Sequence, residues 1–327
     1  MRVLVTGGTG FIGYHLVNTL LQLNHEVTCL IRETSNIRWL ESLGDPEYVY
    51  GELRNPDSLT AAVEQKDWIF HLAGIVTGVN RAHYIEVNQG GTRNLIQATA
   101  RQNSGLQKFV FVSSQSAGGP TTPSRPKTED MPDKPVTHYG ESKLLAEETV
   151  LEYANTIPVS IVRPPVAYGP LDVGVQIFFQ LVARGWQVKF TGPEFYLSLI
   201  YVEDLVEALL QVAAHTRATG ERFYVSDNVR YSMTEIQDTI AQVMEISTHT
   251  VPLPRKLLYV PAVISECFIK LLRKPSFLNY QKIKEMTQPA WLCSAEKLQR
   301  RTGFQPQYTL SSGARKTVDW YRTHGWI

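Results

Sequence analysis

The 327-residue chain has only three cysteines, Cys29, Cys267 and Cys293, which are too few and too scattered for a disulfide framework or a zinc site. Neither sign of charge dominates, because 32 Lys and Arg residues stand against 31 Asp and Glu residues. The chain therefore lacks the basic excess that would attract nucleic acid or an anionic membrane. No apolar run approaches the ~18 residues of a membrane span, and no cleavable leader precedes the first strand. We expect a cytoplasmic protein without a nucleic-acid partner or an integral membrane span.

Short apolar segments alternate with helical patterns through the first half of the chain, as in a parallel sheet that helices cover on both faces. Strands are predicted at Arg2–Thr6, Glu26–Ile31, Tyr48–Gly51, Trp68–His71, Lys108–Ser113 and Val159–Arg163. Two long helices are predicted between them, at about Arg81–Asn103 and Tyr139–Asn155. This repeat predicts an α/β fold with a doubly wound parallel sheet, the Rossmann architecture.

The pattern changes after Arg163, where prolines and aromatic residues become denser and the regular alternation ends. Strand-like segments return at Ser198–Val202 and Arg222–Val225. We therefore expect residues 1–165, with returning segments at about 198–226, to form a dinucleotide-binding domain. Residues 166–197 and 227–327 are expected to form a smaller, mostly helical substrate domain that is discontinuous in sequence. Thr121–Pro135 is predicted to be a mobile surface loop because it is rich in proline, threonine and charge.

A glycine-rich turn separates the first predicted strand from the first predicted helix. The three-residue spacing of Gly7, Gly10 and Gly13 permits a tight turn, a close approach of backbone N–H groups to a pyrophosphate, and close packing of helix on strand. The anion would lie at the positive end of the helix. Because the strand, the turn and the helix occur in register, the sequence predicts dinucleotide binding here.

The end of the second strand bears on which dinucleotide binds. Arg32 stands where an acidic residue would hold the 2′-hydroxyl of NAD, and its guanidinium could pair with a 2′-phosphate. Glu33 follows directly and could serve the ribose instead. The sequence favours NADP, with NAD as the alternative.

Tyr139 and Lys143 have the spacing that places two side chains on one face of a helix. Free tyrosine has a pKa of about 10, and a neighbouring ammonium would lower it and favour the phenolate. Ser113 and Ser114 follow the fifth strand, at the carboxyl edge where doubly wound sheets bind ligands. A hydroxyl there could hold a substrate oxygen against Tyr139.

The histidines expected near this edge are His71, His83 and His138. None has a carboxylate or thiolate partner at metal-ligand spacing, so no metal is expected. His138 directly precedes Tyr139 and could touch the substrate. Asp204 opens a predicted helix and is expected to be a cap or a structural contact.

These motifs resemble those of the extended short-chain dehydrogenase/reductases, also called NAD(P)-dependent epimerase/dehydratases. The resemblance covers about residues 1–230, and its matching stretches are Gly7–Gly13, His71–Gly74, Asn88 with Gly91–Asn94, Ser114 with Tyr139 and Lys143, Arg163–Val166, and Tyr201–Leu205. It implies that Ser114, rather than its neighbour Ser113, acts in catalysis with Tyr139 and Lys143. It implies cofactor contacts from Gly7, Thr9, Gly10, Phe11, Ile12, Gly13, Leu53, Leu72, Ala73, Gly74, Asn88, Tyr139, Lys143, Pro164 and Val166. Glu52 departs from the pattern, because the family usually has aspartate before the position of Leu53.

Two features bear on the substrate. Family members that act on nucleotide-linked sugars commonly carry an arginine just before the segment Tyr201–Leu205, whereas Glu194–Ile200 contains no cation. The apolar segment between Leu257 and Leu272, predicted to be an amphipathic helix, is more similar to the hydroxysteroid dehydrogenase and dihydroflavonol reductase branch.

We therefore expect an NADP-dependent oxidoreductase that moves hydride between the nicotinamide and an alcohol or ketone of a fairly apolar small molecule. The alternatives are a nucleotide-sugar epimerase or dehydratase and, from another class, a catalytically silent nucleotide-binding protein. The family commonly dimerises through the two long helices, which implies a homodimer here.

Overall fold

Short apolar segments form the central sheet of the molecule, and their side chains are buried between two layers of helices. The structure, a computed structural model, describes residues 1–254, 257 and 280–327. The strands are β1 (Arg2–Thr6), β2 (Glu26–Ile31), β3 (Glu47–Tyr50), β4 (Trp68–His71), β5 (Lys108–Val112), β6 (Val159–Arg163), β7 (Val166–Tyr168), β8 (Trp186–Thr191), β9 (Tyr196–Leu197), β10 (Leu199–Tyr201), β11 (Arg222–Tyr224), β12 (Tyr231–Ser232), β13 (His249–Pro254) and β14 (Ala290–Trp291).

Helices connect most of these strands. The α-helices are α1 (Phe11–Gln22), α2 (Thr60–Val63), α3 (Arg81–Tyr84), α4 (Gly91–Gln102), α5 (Gln115–Gly118), α6 (His138–Leu151), α7 (Gln176–Ala183), α8 (Val202–Ala214), α9 (Met233–Met244), α10 (Tyr280–Met286), α11 (Glu296–Thr302) and α12 (Leu310–Thr323). A π-helical segment, Ile85–Gly90, joins α3 to α4, so the chain is helical without interruption from Arg81 to Gln102.

The central sheet has seven parallel strands in the order β3-β2-β1-β4-β5-β6-β11. Val5 at the middle of the sheet is paired with Cys29 of β2 on one side and with Phe70 of β4 on the other. The direction of winding reverses next to β1, because the chain runs outward to β3 and then crosses to β4. Such a reversal leaves a crevice at the carboxyl ends of the strands, which is where open α/β sheets bind ligands.

A second core lies beside the sheet. It joins residues of α7, α9 and α12, among them Phe179, Ile240 and Tyr321, to residues of β7 and β10. The remaining strands form small sheets: β7 with β10, β8 with β13, and β9 between β12 and β14. Among the described residues, this part contains both helices and small sheets, and the predicted substrate domain with its limits stays a prediction.

Thr121–Pro135 contains little regular structure and is exposed or half-buried at every position except Lys127, as predicted for a surface loop, while its predicted mobility stays a prediction. Lys127 is buried, and its backbone forms an isolated parallel β-bridge with Cys293. Asp133 forms two hydrogen bonds with the guanidinium of Arg163, of 2.7 and 2.8 Å. The sequence shows the polarity of this loop but not its buried partners, which lie far away along the chain.

Arg163 itself is among the largest fully buried side chains in the described part of the chain. Besides Asp133 it binds the fully buried carboxylate of Glu147 on α6 at 2.6 and 2.8 Å, and it donates to the hydroxyl of Tyr224 at 2.8 Å. The guanidinium therefore ties β6, α6, β11 and the loop together through charge-assisted hydrogen bonds.

The doubly wound parallel sheet predicted from the sequence is confirmed, and the six predicted strands agree with the observed strands to within one residue at each end. The predicted helix between Leu257 and Leu272 falls, apart from Leu257, outside the described residues. Among the helices that the structure describes, none is long and apolar enough to cross a membrane.

Candidate active site

The glycine turn between β1 and α1 fits a dinucleotide pyrophosphate. Gly7 has a φ of 78°, and a Cβ there would lie 2.8 Å from the backbone nitrogen of Ala73. A Cβ on Gly13 would lie 2.1 Å from the carbonyl oxygen of Gly7. Only glycine can therefore hold this close approach between the turn, the helix and the loop after β4.

The first turn of α1 is open to an anion. Gly10 precedes the helix without a side-chain cap, and no acidic residue occupies the first turn. Unpaired N–H groups at such a helix start attract a phosphate. Thr9, Phe11 and Ile12, predicted to contact the cofactor, all lie at this helix start.

The loop after β4 forms the wall opposite this turn. Leu72 and Ala73 lie directly against Gly7, and a Cβ on Gly74 would lie 2.8 Å from the Asn88 side-chain oxygen. Asn88 accepts from the backbone N–H of Ile75 at 2.8 Å and donates to its carbonyl oxygen at 3.0 Å. The structure thus brings these predicted cofactor residues to one side of the crevice.

His71 is a structural residue of this wall. Its two ring nitrogens lie 2.7 Å from the hydroxyl of Thr6 and 2.9 Å from that of Thr92. Burial lowers the pKa of His71 to about 3, and the charge of Lys143 adds to the effect, so the ring is neutral. In the described part of the chain, no three or more His, Cys, Asp or Glu residues are grouped as metal ligands.

The other predicted cofactor residues lie at the margins of the crevice. The carbonyl oxygen of Leu53 accepts from Asn94 at 2.8 Å, and that of Pro164 accepts from the backbone N–H of Gln115 at 2.8 Å. Val166 begins β7 and is half-buried. Arg32 and Glu33 are exposed just beyond β2, and within the described chain neither side chain has a hydrogen-bond or ion-pair partner.

The N-terminal ends of helices α5 and α6 place the three catalytic candidates, Ser114, Tyr139 and Lys143, at the carboxyl edge of the sheet. Ser114 caps α5, and its hydroxyl accepts from the backbone N–H of Ser116 at 3.1 Å. Thr137 caps α6 by accepting from Gly140 at 3.1 Å, which fixes Tyr139 in the first turn of the helix. Lys143 follows one turn later on the same face.

The amine of Lys143 is held by the end of β5. It donates to the carbonyl oxygen of Val112 at 2.8 Å and lies 4.2 Å from the centre of the Phe111 ring. Burial lowers the pKa of Lys143 to about 7, against the opposing charge of Glu147. The neutral amine is therefore populated near neutral pH.

The expected lowering of the Tyr139 pKa is wrong for the protein as described here. Burial raises the pKa of the Tyr139 phenol to about 12, and its hydrogen bond with Ser114 offsets only part of that rise. The physical reason is that removing the phenolate from water destabilises it more than the neighbouring groups stabilise it. Tyr139 is protonated at neutral pH.

Two residues of the site could not be found from the sequence. Glu285 on α10 accepts from the hydroxyl of Ser116 at 3.2 Å, and Gln281 accepts from the backbone N–H of His138 at 3.1 Å. Both come from a helix more than a hundred residues after Tyr139, and no motif or spacing marks them.

His138 and Asp204 lie outside the catalytic group. His138 begins α6 and approaches Glu141 to 3.9 Å. Asp204 accepts from the backbone N–H groups of Gln307 and Tyr308 at 2.8 and 3.0 Å. The prediction that Asp204 is a structural contact is confirmed.

Comparison with known proteins places this geometry in context. A model of the NAD dependent epimerase/dehydratase family matches residues 3–226. The chain is 28% identical to a ceramide reductase of Caulobacter vibrioides, over 99% of this chain and 96% of that protein. It is 32% identical to a 3 beta-hydroxysteroid dehydrogenase/Delta 5→4-isomerase of Mycobacterium tuberculosis, over 72% of this chain and 67% of that protein. The crystal structure of a UDP-glucose 4-epimerase with UDP-glucose from Thermotoga maritima has the same fold, with a TM-score of 0.81 at 20% identity over 99% of both chains.

Proposed function

This chain belongs to the NAD-dependent epimerase/dehydratase family and is an NAD(P)-dependent enzyme, and we propose that it moves hydride between its cofactor and an alcohol or ketone of a fairly apolar small molecule. The observation that carries this proposal is the hydrogen bond between Ser114 and Tyr139 at the carboxyl edge of the sheet, with Lys143 one helical turn after Tyr139 and bound to the end of β5. A nucleotide-binding protein without catalytic activity would not require these three side chains at one place.

In this proposal the glycine turn, the wall from Leu72 to Gly74, and Lys143 hold the cofactor in the crevice. When bound, the nicotinamide supplies or accepts the hydride. Gly7 and Gly13 permit the pyrophosphate to approach the backbone, and the open start of α1 binds its charge. Lys143 lies at the end of β5, where it can bind the nicotinamide ribose.

Tyr139 moves the proton. Ser114 holds the reacting oxygen of the substrate through its hydroxyl, and the phenol of Tyr139 donates its proton to that oxygen as the carbonyl carbon gains hydride. Its pKa, raised to about 12, favours this direction because the phenol is already protonated at neutral pH. The reverse reaction requires the phenolate, which a protonated Lys143 favours.

Two observations support an apolar substrate. The curated relatives named above act, by their names, on a ceramide and on a steroid. The segment before Tyr201, which forms β9 and β10, offers no cation for a sugar-linked diphosphate. A nucleotide-sugar epimerase or dehydratase remains the second candidate, and the fold shared with the Thermotoga maritima enzyme is the observation in its favour.

The test is a panel of keto and hydroxy steroids, ceramides, flavonoids and UDP-sugars, each mixed with the purified protein and NADP(H) or NAD(H) while nicotinamide absorbance is followed. Steady oxidation or reduction with an apolar member supports the proposal. Conversion of a UDP-sugar without net change of absorbance supports the epimerase instead.

Variants then test the assigned roles. Tyr139→Phe should lower single-turnover rates about 10²–10⁴-fold with little change in cofactor affinity, because only the proton donor is lost. Ser114→Ala should cost less. Ser113→Ala is the matched control, since the neighbouring Ser113 hydroxyl is buried and makes no hydrogen bond within the described chain. Tyr139→Phe at nearly the wild-type rate would exclude Tyr139 as the acid, and His138 would be tested next.

A further inference from the structure

Helix α10 contacts both elements that carry the catalytic candidates. Gln281 binds the backbone N–H of His138, which directly precedes Tyr139. Glu285, one turn later, binds the hydroxyl of Ser116, whose own backbone N–H binds Ser114. The carboxylate of Glu285 is therefore joined to the Ser114 hydroxyl through a single intervening residue.

The position of Glu285 is well fixed. Its backbone carbonyl accepts from the indole N–H of Trp291 at 2.9 Å, which ties the end of α10 to β14. Its second carboxylate oxygen binds the Lys282 amine at 2.8 Å, and the side chain remains 24% exposed. Both carboxylate oxygens are thus held, one by Ser116 and the other by Lys282, and the side chain is still partly exposed.

The carboxylate lies at the end of the catalytic group that Ser114 and Tyr139 form. It accepts from Ser116, whose backbone N–H binds the Ser114 hydroxyl, and the same helix binds the backbone N–H of His138 beside Tyr139. Lys143 lies beside Val112, at the end where the cofactor is proposed to bind. Glu285 therefore lies where the substrate, rather than the nicotinamide, would meet the chain.

We propose that Glu285 is a specificity-determining residue that favours substrates with a hydroxyl or amide N–H close to the reacting carbon and rejects substrates with an anionic group there. This inference rests on the proposed hydride transfer at Ser114 and Tyr139. A carboxylate accepts hydrogen bonds from neutral donors and repels another carboxylate in a partly desolvated site. A charge-assisted hydrogen bond or a like-charge contact of this kind changes relative affinity roughly ten- to hundredfold.

The test uses two matched probe pairs with the cofactor-loaded full chain. One pair is a 3β-hydroxysteroid with and without a 4α-carboxylate, and the other is UDP-glucose with and without oxidation of C6 to a carboxylate. The ratio of kcat/KM between the neutral and the anionic member is measured for the wild type and for Glu285→Gln. The wild type should prefer the neutral member, and Glu285→Gln should reduce that preference roughly ten- to hundredfold, mainly through KM.

Two further variants separate charge from disturbance of the helix. Glu285→Asp keeps the charge and should keep the wild-type preference. Lys284→Gln removes a charge from the exposed side of the same helix and should also leave the ratio unchanged. Turnover of either pair with the same ratio in the wild type and Glu285→Gln overturns this inference alone. Absence of binding and turnover with both pairs overturns this inference, and only failure of the whole panel described above would refute the proposed function as well.

Discussion

Replacing the buried lysine of the catalytic group should stabilise the protein at neutral pH while abolishing turnover. Lys143 is buried, and burial lowers its pKa to about 7 from an ordinary value of about 10.4. The unfolded chain therefore binds a proton that the folded chain releases, so folding is penalised below the unfolded pKa. Lys143→Met removes this penalty because methionine fills similar space without charge.

The magnitude follows from the shift. Each pKa unit corresponds to about 1.4 kcal/mol, so the penalty reaches roughly 4 kcal/mol at and below pH ~7 and is nearly gone at pH ~10. Lys143→Met also leaves the carbonyl oxygen of Val112 without its amine donor, at a cost of about 1–3 kcal/mol. The variant should thus be more stable than the wild type by about 1–3 kcal/mol near pH ~7, and less stable near pH ~10.

The assay is urea unfolding of both proteins without cofactor across this pH range. The difference between variant and wild type isolates Lys143 from the other titrating groups. Lys108→Met is the matched control, because Lys108 is also buried, with a pKa lowered to about 8, at the opposite end of β5. The stability difference between Lys108→Met and the wild type should also change sign between pH ~7 and pH ~10, but this variant should retain turnover. A stability difference for Lys143→Met that does not vary with pH would refute this account of the buried amine.

Three further results are expected. Arg32→Asp should weaken NADP binding roughly 10- to 100-fold and spare NAD, as measured by calorimetry, and tighter binding of NAD than NADP by the wild type would assign the ribose to Glu33 instead. Gly13→Ala should abolish binding of both dinucleotides in the same experiment, because its Cβ would lie 2.1 Å from the Gly7 carbonyl oxygen; unchanged affinity would exclude this turn as the pyrophosphate site. Light scattering should give twice the 36.9-kDa chain mass, through pairing of α4 and α6 with their symmetry mates, and a monomer at micromolar concentration would contradict the proposed homodimer.

The sequence predicts the sheet well because its information there is local. Short, largely apolar runs of four to six residues, such as Trp68–His71 and Glu26–Ile31, are too short for a typical helix and indicate strands buried on both faces. The glycine spacing likewise reports a steric demand inside one turn. Tyr139 and Lys143 are found together because one helix carries both.

Contacts between distant segments could not be predicted. The carboxylate of Glu285 meets Ser116 across 169 positions, and Asp133 meets Arg163 from a loop that looks solvated by composition. The direction of the Tyr139 pKa shift also depends on how completely the folded chain excludes water. Spacing on a helix indicates a neighbouring cation but carries no information about burial.

The guanidinium of Arg163 also constrains how this sequence can vary. Loss of the guanidinium would leave the buried carboxylate of Glu147 with the partly exposed Arg222 as its remaining ion-pair partner, and breaking a buried pair typically costs about 3–5 kcal/mol. Glu147 is fully buried, lies one turn beyond Lys143 on α6, and shares Arg163 with Asp133 of the loop. These three positions, together with Arg222, therefore limit one another's substitution, even though none of them touches a reacting atom.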